Sequence, residues 1–235
     1  DKGWSSSYLL TKWSGNGYIY NTSGAGWTYF AAVGYTPEGS AHSLNLSVLG
    51  AGQWHHQRDV WVSIRDYQNF GKEGIDQRWN TNGGTLNGEE YNLRRNFYNK
   101  PLATLNWDWD ISDNVQLNTS LYGSAGRGGG TGPRGRNYYE GSIDMLPFRK
   151  DLTEHYLENG RGTRDSNGFI NFDAVVAHNS QYDIGSNNDK TYARDILVRR
   201  ASMNSHNWIG GISKLNIQSG KMRYSLGVDL RNYTG

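Results

Sequence analysis

The sequence predicts an all-β chain of about seven antiparallel strands, on three observations. Apolar and polar residues alternate with a period of two along stretches of roughly ten residues. Turn-forming residues separate these stretches, and short and long connections alternate along the chain. The clearest case lies between Leu102 and Tyr122. Ala103, Leu105, Trp107 and Trp109 alternate with Thr104, Asn106, Asp108 and Asp110. After the turn chemistry of Ser112-Asp113-Asn114, Val115, Leu117, Thr119 and Leu121 alternate with Gln116, Asn118, Ser120 and Tyr122. An extended chain puts each apolar set on one face, so the two runs form an antiparallel hairpin. Strands of about ten residues suit a tilted crossing of the hydrocarbon layer. Trp107 and Trp109 stand beside the turn, where an indole buries its ring and keeps its N–H wet. The hairpin therefore reads as wall of an up-and-down transmembrane β-barrel, with lipid outside and water inside.

The other strands follow in order. Trp4, Ser6, Tyr8 and Leu10 share a face of the first, which breaks at Gly15-Asn16-Gly17. Trp27, Tyr29, Ala31, Val33 and Tyr35 line the second, which stops at Pro37-Glu38-Gly39-Ser40, and Leu44, Leu46 and Val48 mark the third. Beyond the hairpin, 207–217 alternates less cleanly. The turn Ser219-Gly220-Lys221 then leads to Met222, Tyr224, Leu226, Val228 and Leu230, set against Arg223, Ser225, Asp229 and Arg231.

The long connections are expected as extracellular loops at about 14–26, 53–96 and 127–203, opposite short periplasmic turns. On that reading the odd-numbered strands run outward, and Gly17, Gln53, Arg127 and Tyr233 sit near the outer rim. An odd strand count does not close a barrel, so 1–235 reads as one partial-barrel domain, an arc of a larger protein. Within the longest insertion, 142–159 and 169–179 have weak helical character, with Asp144, Asp151 and Asp173 available for first turns. Short helices folding over the mouth are expected there.

Bulk composition agrees. The 235 residues are only 35% hydrophobic, with 31 glycines, 9 tryptophans and 16 tyrosines; a barrel hides its apolar residues in alternation. No run of about 18 apolar residues offers a transmembrane helix. Asp1-Lys2-Gly3-Trp4 leads almost directly into a strand with no signal peptide, as a mature or internal fragment would. A net charge of +2 gives no reason to invoke nucleic acid, and the absence of cysteine removes disulfides and thiolate chemistry.

Three segments carry a resemblance. Gly50-Ala51-Gly52-Gln53-Trp54-His55-His56-Gln57-Arg58 is preceded by Gly15-Asn16-Gly17-Tyr18-Ile19 and Tyr29-Phe30, and Asn204-Ser205-His206-Asn207-Trp208-Ile209-Gly210 leads to Gly227-Val228-Asp229-Leu230-Arg231-Asn232-Tyr233. Together, in this order and spacing, they resemble the mid-barrel region of TonB-dependent receptors of the Bacteroidetes type. The resemblance implies a 22-stranded barrel in the bacterial outer membrane, plugged by an N-terminal domain. It also implies energised import of a scarce nutrient such as a glycan or siderophore. Its partners would be outer-membrane lipid and TonB–ExbB–ExbD through a plug not recognisable in this chain, and the likeness to glycan importers allows, without requiring, a surface lipoprotein lid.

The candidate ligand-binding residues are Trp54, His55, His56 and Arg58 at the rim, with Arg127 and Arg134 in the glycine-rich run from Gly126 to Arg136. Neighbouring residues of an extended chain point apart, so His55 and His56 do not offer themselves to one metal, and packing at the rim is the simpler role. The run from 126 lacks the Gly-Lys-Ser/Thr ending of a phosphate loop. It reads as a flexible lead-in to an external loop whose arginines could meet an anionic ligand or lipopolysaccharide. Asp108 and Asp110 share a face as a glycosidase pair would, but so do the polar residues of any wet lumen. Asp165-Ser166-Asn167-Gly168 reads as a turn without the spacing of a calcium loop. Asn21, Asn45, Asn118 and Asn232 begin Asn-X-Ser/Thr triplets, taken as chance. The loop aromatics Trp61, Tyr67, Phe70, Trp79, Tyr138, Tyr139 and Tyr156 serve mainly to pack loops. No catalytic residue, metal or cofactor is expected. The rival readings are a soluble all-β carbohydrate-binding module and a structural barrel component of a surface complex.

Overall fold

The computed structural model describes residues 2–58, 62–135, 137–139, 142–144, 164–180 and 197–235, with the side chains of 134, 135, 137–139, 142–144 and 178 excepted. In chain order the elements are β1 (Trp4–Gly15), β2 (Gly24–Tyr35), β3 (His42–His56), α1 (Ile64–Asn69), β4 (Gly83–Leu86), β5 (Glu89–Asn92), β6 (Arg95–Asn99), β7 (Leu102–Ser112), β8 (Val115–Gly135), β9 (Asn137–Tyr139), β10 (Ser142–Asp144), β11 (Ile170–Asn171), α2 (Phe172–Asn179), β12 (Leu197–Ser219) and β13 (Met222–Thr234). The chain is predominantly antiparallel sheet.

One large sheet runs in the order β1-β2-β3-β6-β8-β12-β13, with β7 also between β3 and β8. β6 and β7 act as a single strand. Gln53 pairs with Tyr98 and Leu49 with Leu102 in one unbroken register, and the ladder is interrupted where Pro101 has no N–H to give. Each strand thus pairs antiparallel with its chain neighbour, and tight turns alternate with long connections. The turn after β12 is closed by Gly220 at φ +59, a conformation glycine adopts without penalty.

The strands outrun the expected loop limits. The first connection is 16–23 rather than 14–26, the second 57–94 rather than 53–96, and the third 136–196 rather than 127–203. The glycine-rich run from 126 is therefore not a flexible lead-in but part of β8, paired with β6 on one side and β12 on the other. Bulky neighbours occupy the space its missing side chains leave. A Cβ on Gly128 would lie 2.7 Å from the Cβ of Tyr98, and one on Gly129 3.1 Å from both the Phe97 ring and the Met203 sulfur. Aromatic neighbours cover glycine in this way elsewhere in sheets.

The register also gives the tilt. The line of paired residues through Trp4 passes Tyr35, Leu44, Trp107, Thr119, Ser213 and Val228. It begins at the ends of β1 and β2 and finishes six residues inside β13. A climb of about one residue (~3.3 Å) per strand spacing of ~4.8 Å means that strands lean about 35° from the normal to the line of turns.

Directly paired residues share a face, so the pairing also sorts the side chains. One face carries Tyr8, Leu10, Val33, Leu46, Leu105 and Leu226, all exposed. The other carries Ser7, Ser47, Thr104, Asn106, Asn118 and Ser225, their cross-strand counterparts. Aromatic rings bound the apolar face. Near the tight turns, Trp4 meets Tyr35 at 4.4 Å between centroids and Trp107 stacks with Trp109 at 5.9 Å; near the long connections, Trp27 meets Tyr29 at 5.1 Å. From Tyr35 to Trp27 the strand rises roughly 26 Å, or roughly 21 Å along the normal at this tilt, close to the apolar height of an outer-membrane barrel.

Among the described residues the buried hydrophobic side chains lie in the connections and at the first residue of β12, not under the body of the sheet. Phe70, Trp79 and Phe169 form one cluster, and Leu93, Ile170, Phe172, Val175 and Leu197 form a second. The small sheet β5-β4-β11, in which β11 runs parallel to β4, joins them. Buried amides tie in the first connection: Asn21 Nδ2 donates to the Gly84 carbonyl at 3.0 Å, Asn92 Nδ2 to the Asn21 carbonyl at 2.7 Å, and Asn80 Nδ2 to the Tyr20 carbonyl at 2.9 Å. Each satisfies a carbonyl that would otherwise be costly to bury.

Of the two helical expectations, α2 occupies 172–179 within 169–179, with 170–171 used as β11. The other is overturned at its start, where Ser142–Asp144 pairs as β10 with β9, because a ladder partner outweighs weak helical propensity; residues 145–159 lie outside the described residues. Helix α1 was unforeseen, although its capping box stands in the sequence: Ser63 Oγ accepts from Asp66 N at 3.1 Å and Asp66 Oδ2 from Ser63 N at 2.9 Å.

Candidate functional site

Two arrangements on the large sheet have functional character. The first is on the polar face near the tight turns. Asn118 Nδ2 donates to Asp108 Oδ1 at 2.6 Å, Asn216 Nδ2 to Asn118 Oδ1 at 2.9 Å, and Ser225 Oγ to Asn216 Oδ1 at 2.8 Å. This chain of bonds crosses four neighbouring strands. Gln116 Nε2 likewise donates to Asp110 Oδ1 at 2.9 Å. Each carboxylate is engaged by a neutral amide, in a polar network that crosses the strands. Asn45 and Asn118 of the Asn-X-Ser/Thr triplets stand on this face.

The second arrangement is a cavity of about 880 Å³ at the end of the sheet bearing the long connections, on the side of the apolar face. Trp27, Trp54 and Phe97 contribute its aromatic lining, and Lys12, Arg95, Arg127 and Arg199 its charge. Arg95 lies over the Trp54 ring at 4.3 Å. Arg199 donates through Nε to Thr131 Oγ1 at 3.1 Å and through Nη1 to the Tyr91 hydroxyl at 3.0 Å.

The candidate residues divide between these surroundings. Trp54 and Arg127 line the cavity. His55 and His56 fall on opposite faces, paired with Asn96 and Arg95 respectively, as adjacent strand residues must. Arg58 belongs to the packing of the connections, donating to the Gln77 and Trp79 carbonyls at 2.7 and 3.0 Å and lying over the Tyr67 ring at 5.5 Å. Arg134 pairs with Val198 in β8; its side chain lies outside the described residues, as do Arg136, Trp61, Tyr156 and the side chains of Tyr138 and Tyr139. Tyr67, Phe70 and Trp79 pack on one another. Asp165 closes a turn, its Oδ1 accepting from Asn167 N and Phe169 N at 2.9 Å each. Among the described residues no three His, Asp or Glu side chains converge to hold a metal.

Sequence reading missed Lys12, Arg95 and Arg199. They are scattered over the chain and share a face only through the register of β1, β6 and β12. The available signal was parity: each occupies a position where the apolar stripe, continued outward, would place a hydrophobe.

His56 stands beyond the aromatic ring at Trp27 and Tyr29, with Nδ1 3.2 Å from Ser23 Oγ. Burial, followed by the charges of Arg199, Arg95 and His55, lowers its pKa to about 4. The unfolded chain takes up this proton near pH 6.5, so the folded state binds fewer protons between the two values. The packed connections should therefore be at full stability above pH 6.5 and lose it progressively as pH falls toward 4. Hydrogen exchange of 83–92 at pH 7.5 and pH 4.5 reads this, and His56→Gln should flatten the difference.

No protein-family model matches the chain, and no curated protein matches it.

Proposed function

We propose that the chain is the wall and extracellular face of an outer-membrane β-barrel of the TonB-dependent receptor type, which imports a scarce extracellular nutrient such as a glycan or siderophore. The observation that carries this reading is the two-faced sheet. One face is apolar between two aromatic borders and nothing among the described residues packs on it, while the other is polar and cross-linked by hydrogen bonds. An apolar surface of this extent is untenable in water and at rest in lipid. Among the described residues no helix is long and apolar enough to cross a membrane; in this reading the strands are the spanning element. Lipid also forbids open ladders, and the reading therefore requires further strands paired with the outer edges of β1 and β13.

In this account the lumen is the face of Asp108, Asn118 and Asn216, and the packed connections above it select the ligand. The resemblance supplies the remaining parts, a plug and TonB–ExbB–ExbD to remodel it, and leaves room for a lipoprotein lid.

Growth of a strain lacking the gene, on a panel of single glycans and iron chelates, tests the proposal. Loss of at least one nutrient, reproduced by removing TonB and restored by the gene, is expected. Unchanged growth on all of them, with the protein in the outer membrane, would leave a structural barrel. Recovery of the protein without detergent would favour a soluble carbohydrate-binding module.

A further inference from the structure

Four Asn-Gly steps lie among the described residues, at Asn16, Asn82, Asn87 and Asn167. Such a step is chemically labile, because a glycine without a side chain lets its own backbone nitrogen reach the side-chain amide that precedes it. The fold decides which step can react. Gly17 N donates to the Thr22 carbonyl at 3.1 Å, Gly83 N to the Asn80 carbonyl at 3.1 Å and Gly168 N to the Asp165 carbonyl at 3.0 Å. These three nitrogens are committed to hydrogen bonds, and Asn82 is in addition wholly buried. Gly88 N has no such partner among the described residues. A Cβ built on Gly88 would meet nothing within 4 Å, and both Asn87 and Gly88 are exposed. They form the two-residue tip of the β4–β5 hairpin, at φ +53 and +79, between the paired Leu86 and Glu89. Attack requires the tip to leave its turn conformation, a fluctuation confined to two exposed residues. At the other three steps it also requires a hydrogen bond to break.

We propose that Asn87 is a modification site, deamidated by water without an enzyme, and that the change loosens the packed connections. The Gly88 nitrogen gives its proton to solvent base and bonds to Asn87 Cγ. The Cγ–Nδ2 bond breaks, Nδ2 takes a proton from solvent and leaves as ammonia, and a succinimide remains. Water then opens the ring at one carbonyl or the other, which gives aspartate or isoaspartate at position 87. The tip has a structural task that either product disturbs. Asn87 N donates to Asp173 Oδ1 at 2.9 Å, tying the hairpin to the first turn of α2, and Leu86 packs on the cluster that contains Ile170, Phe172 and Val175. Aspartate adds a charge beside the carboxylates of Asp173 and Glu89, where like charges repel. Isoaspartate adds a main-chain carbon to a two-residue turn, which then no longer holds Leu86 opposite Glu89. Both products weaken the joint between the second and third connections. The inference concerns the connections only and holds whichever solvent the sheet meets.

The test incubates the full-length folded protein at pH 6.5 and pH 8.5 and follows each Asn-Gly step by tryptic peptide mapping and mass spectrometry, with electron-transfer fragmentation to separate isoaspartate from aspartate. Cleavage after Arg78 and Arg94 leaves Asn82 and Asn87 in one peptide, so each is the internal reference for the other. Conversion at Asn87 is expected to be at least tenfold faster than at Asn16, Asn82 or Asn167, and faster at pH 8.5 than at pH 6.5. In urea sufficient to unfold the connections, the four rates should converge. Asn87→Asp, which carries one product from the start, should speed hydrogen exchange of 83–92 and 172–179 at least threefold, and the incubated native protein should show the same change. Asn16→Asp should leave exchange there unaltered. Asn87→Gly, which keeps a residue suited to the turn and removes the amide, should retain slow exchange through the same incubation. Faster conversion at any of the other three steps, or a preference for Asn87 that persists in urea, would overturn the assignment to the fold. Unaltered exchange in both Asn87→Asp and the incubated protein would overturn the loosening.

Discussion

Leu46→Arg should destabilise the protein in bilayers by about 2–4 kcal/mol, whereas Ser7→Arg at nearly the same height should cost no more than about 1 kcal/mol. Leu46 pairs with Val33 and Leu105 in the middle of the apolar face, where, if that face meets lipid as proposed, a guanidinium would have neither water nor a counter-charge. Ser7 pairs with Ala32, which pairs with Ser47, on the face assigned to the lumen, where the new side chain is hydrated. The two positions have similar local backbone and differ in the face they occupy. Equilibrium unfolding in urea from thin bilayers reads the difference as a shift in midpoint at constant slope. Equal costs at both sites would mean that the two faces meet the same solvent.

Trp79→Ala should cost about 3–5 kcal/mol, and the loss should be confined to the packed connections. Trp79 is fully buried and touches Phe70 and Tyr67 at ring-centroid distances of 5.2 and 5.8 Å. Its Nε1 is buried without a partner, so truncation sacrifices no hydrogen bond and the cost is lost contact plus a cavity. Trp79→Phe should accordingly be mild, below about 1.5 kcal/mol. Limited proteolysis within 57–94 of the folded protein checks both: rapid cleavage in the alanine variant, near-native resistance in the phenylalanine variant, and no change in the protected sheet.

The difference between these two sites reflects what was legible in the sequence. The sheet was legible because alternation is a local signal: Ala103 to Trp109 against Thr104 to Asp110 shows both faces without any knowledge of partners. Strand order followed from connection length alone. The strand ends were not legible, since Gly126 to Gly132 carries no side-chain pattern and is extended only because Tyr98, Phe97 and Met203 of the flanking strands cover it. The packed connections were hidden for a related reason. Their core joins Leu93, Ile170 and Leu197, residues distant in sequence, and Asn21, Asn80 and Asn92 look like ordinary loop amides until their carbonyl partners are known. The rim cavity needed both registers and parities, and of its lining only Trp54 and Arg127 were named from sequence as ligand-binding candidates.

The most direct test of the central claim, that this sheet is a wall between lipid and water, exploits the absence of cysteine from the chain. Single cysteines placed in turn at 103–108 of the protein in its native outer membrane would be challenged with a membrane-impermeant maleimide in the aqueous phase. The account predicts alternation, with 104, 106 and 108 labelled through the lumen and 103, 105 and 107 protected by lipid. Uniform labelling, or protection of the even positions, would contradict it.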